Sequence, residues 1–185
     1  MWKPVVVIAI ATLLGARMSD ADPARDLTDQ LDAATLHSAT LEQLARQAAP
    51  ATRNEVVARL ARRFAPPPSG RLLMRVIALR TPDNERDLRQ VFLANLHAPD
   101  PAARAASLRG LETLRYPHLV DLAITELRDA SDEVVAAACD LLREPAKQDP
   151  QLARLLGAVY AAHAGQKEFY LSNELLKAHG FDKRP

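Results

Sequence analysis

A recurring spacing of apolar residues constrains this chain more than any other feature of its sequence. Val57 begins an apolar triplet with the i, i+3, i+4 spacing of one helix face. Similar triplets begin at Leu88, at Leu119 and at Leu152. The pattern recurs roughly every 31 residues, and a period of this length predicts stacked helical hairpins, each with a helix A followed by a helix B.

A second apolar series lies ahead of the first and shares its period. Its members are Ile77, Leu108 and Cys139, which are separated by equal intervals. We therefore expect about four repeats of roughly 31 residues, covering about residues 40–164. The predicted helices are 24–34, 41–49, 53–64, 70–80, 85–97, 101–115, 118–128, 132–143, 150–164 and 168–179.

Prolines and capping residues predict the ends of these helices. Pro101 suits the first turn of a helix, where its missing N–H is not needed. Pro50 and Pro145 are expected in turns between helices A and B. Thr52 and Glu55 have capping-box spacing, which predicts a helix that begins at the next residue after Thr52.

The composition favours an all-α chain. Alanine and leucine supply 62 of the 185 residues, and both favour helix. Only ten of the fifteen valines and isoleucines lie beyond residue 10, so little material remains for strands. The single cysteine excludes a disulfide framework within the chain and a cysteine-rich metal site.

Residues 1–21 have the layout of a secretory signal peptide. Lys3 is followed by an uncharged run over 4–16, which ends at Ala16, and a polar stretch follows. This run is shorter than the ~20 apolar residues that a membrane-spanning helix needs. We expect cleavage after Ala16 or Ala21, no membrane span in the mature domain 22–185, and a periplasmic or secreted protein. An uncleaved anchor and a buried N-terminal helix are the alternatives.

Two stretches carry a family resemblance. Residues 100–108 read DPAARAASL, and residues 127–139 read LRDASDEVVAAAC one period later. They resemble HEAT repeats, especially the short variety that also occurs in phycobilin lyases. Arg104 matches the typical arginine of that family, whereas the next repeat has Val135. The resemblance implies an α-solenoid that binds other molecules through its surface, and we expect the helix over 168–179 to cap it.

Arg104 lies on the apolar side of its predicted helix, between Leu108 and Leu111. A buried unpaired charge is costly, so a carboxylate should accompany it. The candidates are Asp100, Asp129 and Asp132.

No catalytic residue, metal site or cofactor is predicted. The serines and glycines form no nucleophile elbow, dinucleotide fingerprint or phosphate-binding loop. Cys139 shares an apolar stripe with Val135 and Leu142, so we expect a buried and unreactive thiol. No two histidines are spaced as neighbours on one helix face; they are His37, His97, His118, His163 and His179.

Charge and repeat register together predict a protein-binding surface. Residues 53–89 carry a net charge of +5 and residues 120–149 a net charge of −5, which could orient a partner. The basic segment contains only one aromatic residue, which disfavours nucleic acid as the partner. In HEAT-like solenoids the B helices line the concave face. The predicted partner-binding residues are Arg59, Arg62, Arg63, Leu93, Asp121, Ile124 and Arg154.

The alternative for Leu93 and Ile124 is that they pack between neighbouring B helices. For the whole chain we expect an exported protein-binding scaffold or adaptor of the cell envelope. The other hypotheses are an enzyme or cofactor-handling protein with a site assembled across repeats, and a structural accessory domain of an envelope complex. A deep pocket with convergent histidines or carboxylates would favour the enzyme, and an exposed apolar patch would favour binding. The sequence specifies neither the partner nor the oligomeric state.

Overall fold

The computed structural model describes residues 22–32, 43, 45–62 and 68–163. This part of the chain is helical and contains no strand, so the prediction of an all-α protein is confirmed for it. The expected signal peptide over 1–21 and the expected helix over 168–179 lie outside the described residues. The helix expected over 41–49 is described only in part, and residues 43 and 45–47 of it are helical.

Eight α-helices and one short 3-10 helix have described bounds. If the 3-10 helix is taken as the end of α3, all of these bounds lie within about one helical turn of the predicted ends. The helices are α1 (Pro23–Asp32), α2 (Pro50–Arg62), α3 (Gly70–Val76), the 3-10 helix (Ile77–Leu79), α4 (Glu85–Asn95), α5 (Pro101–Thr113), α6 (Leu119–Glu126), α7 (Asp132–Ala146) and α8 (Pro150–Ala162).

Side-chain caps fix the starts of three helices. Ser69, Asp100 and Asp149 each accept a hydrogen bond from a backbone N–H in the first turn of the helix that follows. These bonds satisfy donors that have no partner within the helix. Pro101 and Pro150 occupy the first helical position after two of these caps. A backbone N–H at this position has no acceptor within the helix, so the missing N–H of proline costs no hydrogen bond.

Two prolines lie inside helices although they were expected in turns. Pro50 is the first residue of α2, so Thr52 is already helical and the predicted capping box is wrong. The fixed φ of proline suits this first position. Pro145 lies in the last turn of α7, which ends at the next residue, Ala146. A proline so close to the helix end removes a single hydrogen bond, the one to the carbonyl of Leu141.

The described helices alternate between two sets, which we call the first row (α1, α3, α5 and α7) and the second row (α2, α4, α6 and α8). In the first row, α1 packs on α3, α3 on α5 and α5 on α7. In the second row, α2 packs on both α1 and α4. The remaining second-row helices pack mainly on the first row: α4 on α5, α6 on α7 and more weakly on α5, and α8 on α7.

Small side chains allow α5 to lie close to its neighbours. A Cβ on Gly110 would be 2.4 Å from the ring of Phe92 on α4. A Cβ on Gly70, at the start of α3, would be 2.6 Å from the backbone of Ala102. Both contacts are closer than a side chain would permit, so α3 and α4 lie directly against α5. The buried residues of α5 are Ala103, Ala105, Ala106, Ser107, Leu108, Gly110 and Leu111.

We expect Gly110→Ala to lower the free energy of unfolding by about 1–3 kcal/mol, because the added methyl group overlaps the Phe92 ring. Denaturant unfolding followed by circular dichroism measures the change. Glu112→Ala, an exposed change on the same helix, serves as the control and should alter stability by less than ~0.5 kcal/mol. Equal stability of the two variants would contradict the close α4–α5 contact.

Candidate functional site

Four large apolar side chains in the described part of the chain are more than a third exposed. Met74 on α3 is 48% exposed, and Leu155 on α8 is 41% exposed. Val120 and Ile124, one turn apart on α6, are 39% and 38% exposed. Three of the four therefore lie on α6 and α8. These two helices both pack on α7, but they do not pack closely against each other.

Repeat register shows which side of α6 carries its exposed residues. The Arg89 Nη2 donates a hydrogen bond to the Leu114 carbonyl at the end of α5, at 3.5 Å. The flank of α4 that carries Arg89 therefore reaches the end of α5. Val120 and Ile124 come one period after Arg89 and Leu93 and occupy the same flank of α6. They share one exposed side of this helix.

Leu155 lies on the opposite flank of its own helix. Gly157 is the counterpart of Ile124 one repeat later, on α8, and marks the forward flank. Leu156 is buried against the core, and Leu155 precedes it on the side away from Gly157. Leu155 therefore lies on the flank of α8 opposite Gly157 and is exposed there. We call these three side chains, Val120, Ile124 and Leu155, the α6–α8 surface.

Leu155 belongs to the apolar triplet that begins at Leu152, yet its side chain is exposed. The helical periodicity of α8 is as predicted, but α6 does not pack closely enough to cover the Leu155 side chain. Val120 was not predicted as a binding residue, because it precedes Asp121 and Ile124, the α6 positions that the repeat register selected. An apolar residue one turn before Ile124 was the available clue.

The predicted binding residues are spread over several second-row helices. On α4, Leu93 is half-buried and packs against the core. Asp121 on α6 and Arg154 on α8 are exposed, and the Arg154 Nε donates to the Pro150 carbonyl at 3.2 Å. Arg63 lies outside the described residues.

Arg59 joins two helices. Its guanidinium forms ion pairs with Asp22, just before α1, and with Glu55 on α2, the latter at 2.7 Å. The hydrogen bond from Arg59 lowers the pKa of Asp22. This arginine was predicted to contact a partner, but its charge is already matched within the chain. Substituting it would disturb the α1–α2 contact as well as any binding.

The cleft beside Arg59, about 670 Å³ in volume, lies between α1 and α2. Arg25 on its wall lies 3.9 Å from Asp29, and Arg62 lies 3.8 Å from Glu55. Each of these arginines is therefore near a carboxylate within the cleft, and no histidine is among its described lining residues. The mixed charges do not create a strongly basic site for an anion.

Arg104 forms the most buried ion pair among the described residues. Its Nη2 and Nε lie 2.7 and 2.8 Å from the two carboxylate oxygens of Asp129, and its Nη1 donates to the Ala98 carbonyl. The Arg104 and Asp129 side chains are 15% and 10% exposed. Asp129 also accepts from the Ser131 N–H at 2.8 Å, immediately before α7. Of the three predicted carboxylates, Asp129 is therefore the one that pairs with Arg104.

Two neighbouring acids respond to this site in opposite ways. The hydrogen bond from Arg104 lowers the pKa of Asp129. Burial, followed by the nearby charge of Asp129, raises the pKa of Glu126. The cluster therefore stabilises the ionised form of Asp129 and disfavours the ionised form of Glu126.

Cys139 is 1% exposed. Burial raises the pKa of its thiol to about 12, and the Tyr160 hydroxyl on α8 opposes this shift through a hydrogen bond. A thiol that remains protonated at neutral pH is a poor nucleophile.

Within the described ranges, no three side chains of histidine, cysteine, aspartate or glutamate are arranged to hold a metal ion. None of the helices in these ranges combines the length and apolar character needed to cross a membrane. No protein-family model, curated protein or solved structure matches this chain.

We expect Arg104→Ala to lower the free energy of unfolding by about 3 kcal/mol at pH 7, because it leaves the largely buried Asp129 carboxylate without its cation. Arg109→Ala, on an exposed position of the same helix, is the matched control and should cost under ~0.5 kcal/mol. Urea unfolding of the two variants compares them. Equal stabilities would rule out the buried pair.

The same pair predicts a dependence on pH. The pKa of Asp129 is lower in the folded protein than its unfolded value of 3.8. Its contribution to the free energy of unfolding is therefore present above pH 3.8 and is lost as the pH falls through the folded pKa. The stability gap between wild type and Asp129→Asn should therefore shrink in acid.

Glu126 has a raised folded pKa, so the penalty for ionising it appears as pH rises. Glu126→Gln should consequently be at least as stable as wild type at pH 7.

Proposed function

We propose that this chain is an exported, HEAT-like scaffold or adaptor of the cell envelope that binds a segment of a partner protein on the α6–α8 surface. The observation that carries the proposal is the exposure of Val120, Ile124 and Leu155 on two helices that both pack on α7. Exposed apolar side chains grouped on one part of a protein surface are characteristic of an interaction site.

Other features support the remaining parts of the proposal. Two alternating rows of helices and a period of about 31 residues are what a HEAT-like solenoid requires. The uncharged run that ends at Ala16 supports export to the periplasm or beyond the cell. The proposed mature solenoid domain is the one expected from the sequence, over 22–185.

The surface indicates the chemistry of its partner. Val120 and Ile124 are about 6 Å apart along α6, since each helical residue rises about 1.5 Å. An extended or helical segment with apolar side chains at similar spacing would fill the space between them and Leu155. Asp121 and Arg154 are exposed on the same two helices and offer one charge of each sign at its border. These features favour protein binding over catalysis.

The α6–α8 surface can be tested with paired substitutions. We expect Val120→Asp with Leu155→Asp to reduce partner capture from envelope extract by at least about tenfold, because two charges would have to be buried against the partner. Partners retained by the wild-type mature protein are identified by mass spectrometry and compared across variants.

Met74→Asp is the matched control for this experiment. It places one aspartate on an apolar residue of the first row that is somewhat more exposed than Val120 or Leu155. Capture by this variant should match wild type, and the melting temperatures of all variants should stay close together because the changed residues are exposed. If the variant with both charges still captures the same partners, the binding surface lies elsewhere.

The proposed export of the protein can be tested separately from partner binding. N-terminal sequencing of the protein from its native host should show a chain that begins near Arg17 or Asp22, because the leader fits a cleavable signal peptide. A chain that retains Met1 in the cytosol would refute export and leave the binding proposal standing.

A further inference from the structure

Glu126 is the last residue of α6, the helix that carries Val120 and Ile124. Its side chain is half-buried, and within the described ranges its carboxylate accepts no hydrogen bond and pairs with no cation. A negative charge is unfavourable at the carboxyl end of a helix, where the last backbone carbonyls already carry partial negative charge. The position of Glu126 therefore favours a neutral side chain over an ionised one.

A second carboxylate follows in the same turn and is held in its ionised form. The Asp129 N–H donates to the Glu126 carbonyl at 3.1 Å, so one tight turn joins the two residues. Every side-chain nitrogen of Arg104 is already engaged: Nε and Nη2 donate to Asp129, and Nη1 donates to the carbonyls of Ala98 and Pro99. The turn therefore holds two carboxylates beside one arginine that is committed to Asp129.

The charges around Glu126 act in both directions. The Asp129 carboxylate disfavours an ionised Glu126, whereas Arg104 on α5 and His97 in the connection before α5 favour it. Burial is the largest influence and acts in the same direction as Asp129, so the pKa of Glu126 is raised despite the two basic residues.

The neighbouring elements offer this carboxylate no further cation. The helix α7, which packs on α6, begins with Asp132 and Glu133. The Asp132 carboxylate lies 2.9 Å from the His163 Nδ1, and Glu133 is exposed. On α6 itself Asp121 is exposed, and so is Arg128 in the turn that follows.

We propose that the Glu126 carboxylate controls the α6–α8 surface through its protonation: a proton bound in acid stabilises α6, and its release towards neutral pH loosens that helix. The helix has only eight residues and packs on α7 and more weakly on α5, so its order depends on few contacts. Control of binding rests on the proposed function, whereas the change in α6 can be measured without a partner.

The two acids of the turn define the pH range of this control. The pKa of Glu126 lies above its unfolded value of 4.5, so the penalty for ionising it disappears below pH 4.5 and grows as pH rises through the folded pKa. The pKa of Asp129 lies below 3.8, so its pair with Arg104 persists to lower pH. Between the two folded pKa values Glu126 is neutral while Asp129 is still ionised, and α6 is held most firmly there.

Hydrogen exchange of the mature protein tests the change in α6. The amides of residues 122–127 are compared between wild type and Glu126→Gln, whose side chain is always neutral. At pH 7 these amides should exchange at least about twofold more slowly in the variant, because no ionised carboxylate opposes the helix. At pH 4 the two proteins should exchange alike. Glu112→Gln, which changes an exposed acid near the end of α5, is the matched control and should behave like wild type at both pH values.

Two results of the exchange experiment overturn the inference. One is equal exchange of wild type and Glu126→Gln at pH 7. The other is equal slowing of the amides of α4, since the substitution would then act on opening of the whole fold and not on α6.

Partner capture from envelope extract at pH 7 tests the consequence for binding. Glu126→Gln should retain at least about twofold more of the proteins that wild type retains, because binding to an already ordered helix costs less conformational entropy. Capture that is lost in Val120→Asp with Leu155→Asp but is unchanged in Glu126→Gln would overturn the control alone. The absence of any capture by wild type would instead refute the proposed function, and control of binding with it.

Discussion

The small side chains of α5 are the constraint on which the other helices depend. This helix packs on α3 and α7 within the first row and on α4 and α6 in the second. At Gly110 the Phe92 ring occupies the space that a side chain would take. Alanine and glycine bury little apolar area themselves, but they let larger side chains of the neighbours approach closely. Alanine-rich composition is therefore a packing device here and not only a helix-forming one.

The helices could be predicted from sequence because their period depends on local geometry. The ends that were misjudged involve prolines: Pro50 begins α2, and Pro145 is accommodated in the last turn of α7. Proline is excluded from the helix interior but permitted at both of these positions, so its presence alone does not define a turn. Side-chain exposure was harder to predict, as Leu155 shows. Its helical face follows from sequence, but its exposure depends on how closely α6 approaches.

The ion pairs illustrate the same limit. The repeat register made Asp129 one of three candidate partners of Arg104, because it brings one inter-helix turn near the next, and the structure selects Asp129 among them. The contact between Arg59 and Asp22 joins distant parts of the sequence and had no such register to reveal it. Both arginines act within the fold, where they hold the start of one element against another. The net charge of a segment consequently overstates how much charge is available to a partner.

The pair of helices that packs together to bury an apolar face is shifted by one helix from the pair that repeats in the sequence. The repeat runs from a first-row helix to the following second-row helix, whereas α4 and α6 are covered by α5 and α7, which come after them. On the ribosome, α4 and α6 therefore emerge before the following helices that cover them, whereas α2 and α8 pack on a helix that already exists. A chain interrupted after α4 or α6 leaves an apolar face open to wrong contacts.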